Sequence, residues 1–462
     1  MRAPRAVCGL VLIELLGCAA APPEAPRPST TNSAARSPAP KISDGRRELP
    51  LAESRAVVRK LSSKVGSELP ARHLESVEGI LETPLVLGNQ AQLLVDGPAT
   101  HAAMFKAIES ARDHVNLESY ILEAGPIGGR LASLLERKIG EGVTVNVLFD
   151  GVGSMSTPAA YFERLDEAGV ALCEFNPVNP AKAKKGWHLN NRDHRKILVV
   201  DGRVAFTGGI NISSVYSSSS FGRGNAPRDD PAEDGWRDTH VQLQGPIVAD
   251  LQQLFLESWT SQNCPKLRSA DYFPTLSPHG AQVMRVVAQD PAAERSDVYL
   301  ALLSAFENSE KRIWLTYGYF APDPQTLEVL MAAAARGVDV RLVLPGVSDF
   351  WVPLYAGRSH YQDLLEARIR LFERKDALLH AKTAVVDGVW STVGSTNLDW
   401  RSFVHNYEVN VIVLDREFGR GMEGVFERDQ GAAIEITEEK WRNRGIGTRI
   451  KEWIARRWAY LL

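Results

Sequence analysis

The chain has 462 residues, of which 44% are hydrophobic, enough apolar material for two cores of ordinary domain size. Its 53 basic and 56 acidic side chains give a formal net charge of -3, which argues against a dedicated nucleic-acid binder, since phosphate contacts dominate affinity in such proteins and require excess positive charge. No stretch approaches the roughly twenty consecutive apolar residues of a membrane-spanning helix.

Taken in chain order, Arg2 and Arg5 precede an apolar run over 6–16, and Leu15-Leu16-Gly17-Cys18 has the form of a lipobox. The pattern predicts a lipoprotein signal over 1–17, lipid on Cys18, and attachment to a membrane of a bacterial cell envelope on its periplasmic or extracytoplasmic side. Glu14 interrupts the run, so an ordinary secretory signal is the alternative. Residues 18–50, rich in Ala, Pro and Ser, read as a tether. Beyond it, strand patterns over 115–122, 142–148, 194–201, 312–319, 337–343 and 380–387 alternate with helical spacing over 102–115, 129–141 and 326–336. The class is therefore α/β. Asp201-Gly202 and Asp387-Gly388 are hairpin turns, which makes the sheets mixed rather than purely parallel. Cys173 and Cys264 are either a disulfide or free thiols, the first lying in an apolar strand. Residues 217–233, polar and rich in Gly and Pro, form an inserted loop, and Lys182, Lys184 and Lys185 are placed to attract an anionic headgroup. At the end, Ile450, Trp453, Ile454, Trp458 and Leu461 recur at helical spacing among Arg449, Lys451, Arg456 and Arg457. That helix either touches a bilayer or docks on its own domain.

The pattern His-x-Lys-x4-Asp occurs twice, as His194, Lys196, Asp201 and as His380, Lys382, Asp387. Alternation along a strand puts each histidine and lysine on one face. Imidazole serves as nucleophile or proton carrier and ammonium as a compact cation for phosphate oxygens, so two such pairs suggest chemistry on a phosphodiester. Thr207-Gly208-Gly209-Ile210-Asn211 follows the first copy at the offset where Val393-Gly394-Ser395-Thr396-Asn397 follows the second, making Asn211 and Asn397 equivalent. Repeated segments at 115–122 against 312–319, and 142–148 against 337–343, extend the duplication into two halves, 51–275 and 276–437, with a basic segment over 438–462.

The doubled motif with its trailing Gly-x-x-Asn resembles the phospholipase D superfamily, and within it the cardiolipin synthase branch. The likeness is carried also by Asn191-Arg192-Asp193, Trp236-Arg237-Asp238-Thr239-His240-Val241, Tyr319-Phe320-Ala321-Pro322-Asp323, Leu398-Asp399-Trp400-Arg401-Ser402 and Asn406-Tyr407-Glu408-Val409-Asn410. It implies two α/β/α sandwich domains related by a pseudo-twofold axis, with one active site between them and neither metal nor cofactor required. By the same resemblance His194 attacks phosphorus, His380 protonates the leaving alcohol and activates the acceptor, and Lys196, Lys382, Asn211, Asn397 and Ser395 hold phosphate oxygens. Asp201 and Asp387 complete the motif's catalytic set, although their turn position also gives them a structural reading. Asp238 and Glu408 are expected to orient the histidine of their own half. Gly209 stands opposite Ser395 and Arg195 opposite Ala381, neither of which removes a catalytic group, and Glu366-Ala367-Arg368 replaces a Glu-Ala-Gly turn, a difference expected to be neutral. Cardiolipin synthases resembling this core carry amino-terminal transmembrane helices, which leaves the substrate open. The readings are a phosphatidyltransferase joining two phosphatidylglycerols, a phospholipase D using water, a nuclease of the superfamily, and an inactive lipid-binding lipoprotein.

Overall fold

In the computed structural model the described residues are 40–81, 83–179, 181, 187–221, 235–293 and 295–458. The signal, Cys18, the cluster Lys182, Lys184 and Lys185, most of the polar loop and Leu461 lie outside them. Among the described residues the two halves share seven strands in one order, and the second adds an edge strand, Ala433–Ile436, antiparallel to Arg370–Arg374. The first has β1 (Leu85–Val95), β2 (His114–Ser119), β3 (Thr144–Asp150), β4 (Ala171–Phe175), β5 (Lys196–Val200), β6 (Val204–Gly208) and β7 (Thr239–Gln244), arranged β4-β3-β2-β5-β6-β7-β1. The second has β8 (Gln282–Gln289), β9 (Arg312–Tyr317), β10 (Asp339–Pro345), β11 (Arg370–Arg374), β12 (Lys382–Val386), β13 (Trp390–Gly394) and β14 (Asn406–Leu414), arranged β11-β10-β9-β12-β13-β14-β8. Both sheets are mixed. They meet edge to edge where β1 pairs with β8 in a broken antiparallel register.

Alternation along β5 explains the layering. Leu198 and Val200 face a core filled by helices α3 (Asp96–Ser110), α4 (Pro126–Gly140) and α5 (Ala159–Glu167), whereas Ile197 and Val199 face the opposite side. That second core is shared: Leu251 and Leu254 of α6 (Val248–Ser261), Val385, Val409 and Val411 of the second sheet, and Phe418, Met422 and Phe426 of α12 (Arg416–Gly431) all enter it. The halves are thus bonded through a common apolar layer, and cannot part without exposing it.

Several expectations need correction. Helix α3 stops at Ser110 rather than 115, because Asp201 accepts the backbone N–H of Arg112, Asp113 and His114 at 2.8–3.0 Å and fixes the start of β2. The repeat register also shifts by one: Val115 pairs with Val200 and Ile313 with Val386, so 115 corresponds to 313, not 312. The tether ends before 50, since buried Ile42 pairs with Leu85. Helices α1 (Leu51–Val65) and α2 (Leu69–Val77), placed by sequence in the first half, pack on the second, where His73 bonds Ser304 of α7 (Asp297–Glu307) and Glu78 pairs with Arg285. Cys173 and Cys264 form a disulfide joining β4 to the segment after α6. Finally, Arg368 takes the left-handed conformation (φ 63°) that Gly169 takes in the first half, so this turn is not neutral.

Candidate active site

The two motif strands begin at Lys196 and Lys382, and the histidines sit just before them, on segments held by the opposite half. His194 N–H donates to the carbonyl of Tyr407 at 2.9 Å, and His380 N–H to that of Arg237 at 2.8 Å. The next residue in each case is the acid partner. His194 Nδ1 meets Glu408 at 3.0 Å and His380 Nδ1 meets Asp238 at 2.7 Å. The expectation that each acid serves its own half is therefore wrong: the pairs are crossed, because each histidine's backbone is bonded to the residue preceding the other half's acid. This reciprocity is that of a pseudo-twofold pair, and it leaves Nε2 of both rings for substrate.

Each ammonium folds back onto its own histidine's carbonyl, Lys196 to His194 O at 2.6 Å and Lys382 to His380 O. Tyr120 and Tyr319 close the sides, their rings edge-on to His194 and His380 at 5.1 and 6.0 Å, with the lysines over their faces at 5.2 and 5.9 Å. Burial pushes Lys196 down to about 7 and Lys382 down to about 8. An anion between them would restore the ammonium forms. Burial also lowers both histidines, His380 furthest, because Lys382, His194 and Lys196 add to the effect, while Glu408 partly offsets it for His194.

The acids differ. Glu408 accepts from Ser395 at 2.5 Å, Ser402 at 2.9 Å and Asn406 at 3.2 Å besides His194. Burial would raise its carboxyl, but His194 and Lys196 outweigh that and hold it low. Asp238 is raised by burial, with Lys382 opposing, and its histidine takes a second contact from Tyr216 OH at 3.1 Å. Gly209 is what lets Asp238 sit there, since a Cβ on it would lie 2.1 Å from Asp238 Oδ1. Ser395 is thus a positioning residue for Glu408 rather than a phosphate contact. Asn211 and Asn397 are both buried beside their histidines' strands; Asn211 Oδ1 accepts Ile121 N–H, whereas Asn397 Oδ1 has no hydrogen-bond partner among the described residues.

Asp201 and Asp387, expected among the catalytic groups, stand at the far ends of the motif strands. Asp387 accepts the N–H groups of Glu310, Lys311 and Arg312 at 2.7–2.8 Å, as Asp201 does at its own turn. Their carboxylates are spent on backbone, so both are structural. Arg195, opposite Ala381 in the repeat, is a buried tie between halves that reaches Glu408 O, Ser258 Oγ and Gln289 O at 3.0–3.3 Å. Sequence reasoning missed Tyr216, Tyr120 and Asp349, which accepts Tyr319 OH at 2.7 Å. Ser402, Asn406, Trp236 and Tyr319 lay inside the motif stretches, which was their signal.

The chain is similar to known proteins over most of its length. The family model described as "Cardiolipin synthase, PLD-like domain" matches residues 104–220 and 302–430, one segment in each half. The chain is 37% identical to cardiolipin synthase A of Pseudomonas putida over 80% of its length and 75% of that protein, and 32% identical to cardiolipin synthase 1 of Bacillus cereus over 78% and 70%. The fold is similar to phosphatidylserine synthase of Haemophilus influenzae, with a TM-score of 0.59 at 13% identity, covering 80% of this chain and 93% of that one. The chain belongs to the phospholipase D superfamily, in its cardiolipin synthase branch.

Proposed function

We propose that the protein transfers a phosphatidyl group from one phosphatidylglycerol to the hydroxyl of another, giving cardiolipin and glycerol. The observation that carries the reading is the crossed pair of histidine–carboxylate contacts, which puts two Nε2 atoms and two ammonium groups in one buried site. His194 Nε2 attacks phosphorus, the P–O bond to glycerol breaks, and the leaving oxygen takes a proton from His380. The hydroxyl of the second phosphatidylglycerol then gives its proton to His380 and attacks phosphorus, breaking the P–N bond. Lys196, Lys382, Asn211 and Asn397 hold the nonbridging oxygens as charge builds. Burial favours transfer by keeping bulk water from the phosphohistidine.

The substrate and the address fit one another. Lipid on Cys18 would hold the domains on the extracytoplasmic face of a membrane, where the disulfide of Cys173 and Cys264 is at home. Among the described residues no helix is long and apolar enough to cross a bilayer. The test is lipid mass spectrometry after incubation with phosphatidylglycerol vesicles. Cardiolipin and glycerol, lost in His194→Ala and His380→Ala, support transfer. Phosphatidic acid alone would make water the acceptor and overturn it.

A further inference from the structure

The carboxy-terminal helix α14 (Ile446–Trp458) docks on its own domain, one of the two sequence readings, and also exposes an apolar face. At 100° per residue, Glu452 and Ala455 lie on one side, and Ile446, Ile450 and Trp453 on the other. The first side is buried: Ala455 packs with Ala356 of α9 (Trp351–Arg358), and Glu452 receives Arg444 through bonds of 3.0 Å. The second is bare, with Ile446 77%, Ile450 54% and Trp453 62% exposed. Beside it lies a cleft of about 510 Å³ between α14, α10 (Tyr361–Glu366) and the helix Glu438–Arg442. Arg442, Arg444, Arg449 and Arg456 line the cleft against only Glu366 and Glu452, and Trp453 forms part of its wall. Arg444 pairs with Glu452, Arg442 with Glu438, and Arg449 donates to the carbonyl of Arg442 at 2.6 Å, while Arg442, Arg449 and Arg456 are all exposed.

We propose that this surface is an anionic-bilayer docking site in which the cleft takes a phospholipid phosphate while Ile446, Ile450 and Trp453 enter the acyl boundary. Charge complementarity selects the occupant: a guanidinium cluster rimmed by Trp and Ile matches the phosphate layer above hydrocarbon, and the four guanidinium groups lining the cleft outnumber the carboxylates of Glu366 and Glu452. Helix α14 rests on α9, and Asp349, two residues before α9, holds the Tyr319 ring against His380. Docking would therefore bring the active site and a lipid surface together. The inference rests on the reading that the substrate is a bilayer lipid, but not on which product forms.

The test is vesicle flotation of the full chain on phosphatidylcholine alone and on phosphatidylcholine with about one-third phosphatidylglycerol. Any lipid on Cys18 is common to all variants and blind to headgroup charge. The parent should prefer the anionic vesicles, and Arg449→Glu with Arg456→Glu should cut that preference by about tenfold or more, with turnover of dispersed short-chain phosphatidylglycerol unchanged. Trp453→Ala with Ile450→Ala should weaken binding to both vesicle types. Both pairs are exposed, and an unchanged melting temperature checks folding. A charge-reversed variant that still prefers anionic vesicles like the parent, or a parent that shows no such preference, would overturn the proposal. Absence of cardiolipin in every sample would strike only the reaction proposed above.

Discussion

The two halves place a histidine at the same point of the same strand order, yet support it differently. His194 faces a carboxylate bonded by three further donors and held low, whereas His380 faces a shorter acid raised by burial, with a tyrosine hydroxyl as second contact. The difference follows from one position in the repeat: Gly209 makes room for Asp238, while Ser395 donates to the longer Glu408. A firmly ionised partner suits a ring that must carry positive charge as a phosphohistidine. A softer one suits a ring that passes a proton back and forth. Duplication gives two equivalent positions, and these side chains make the surroundings of the two histidines unequal.

Removing the crossed acids should break the site most severely. Glu408→Gln and Asp238→Asn are each expected to lower kcat by about 10² to 10⁴, and because the pairs are crossed, Glu408→Gln should perturb the NMR titration of His194 rather than His380. If the His380 signal moves instead, the pairing is wrong. The lysines give the next largest effect. Their charged forms bind phosphate, so kcat/KM should fall as pH rises through about 7 and about 8, and Lys196→Arg, whose guanidinium stays charged, should shift the alkaline limb of its remaining activity upward. Smaller still, Ser395→Ala should slow the step that depends on His194, and Tyr216→Phe the step that depends on His380, each by about tenfold; single-turnover and steady-state rates separate the two. The least effect lies outside the site. Arg368→Gly, giving the second half the residue that the first has at Gly169, should raise stability by about 1 kcal/mol, read by urea denaturation, with kcat unchanged.

The motifs made the chemistry legible because the chain repeats it: His194, Lys196, Asn211 and their counterparts occur at fixed offsets, and strand alternation decides their shared face. Crossing was not legible. Which half's acid meets a histidine depends on backbone bonds between His194 and Tyr407 and between His380 and Arg237, partners more than 140 residues apart whose pairing leaves no local pattern. For the same reason sequence alone does not reveal that α2 packs on the second half, since apolar spacing tells which face is buried but not against what. Asp201 and Asp387 show the converse. Their place in a catalytic motif hid a backbone role that the Asp-Gly turn had signalled.

The central claim is a phosphohistidine on His194 that His380 resolves, and it is tested most directly by intact-protein mass spectrometry with a phosphatidyl ester of p-nitrophenol, whose leaving group needs no proton. The account predicts one phosphatidyl adduct accumulating on His380→Ala, mapped to His194, and none on His194→Ala. An adduct on His194→Ala, mapped to His380, would contradict it.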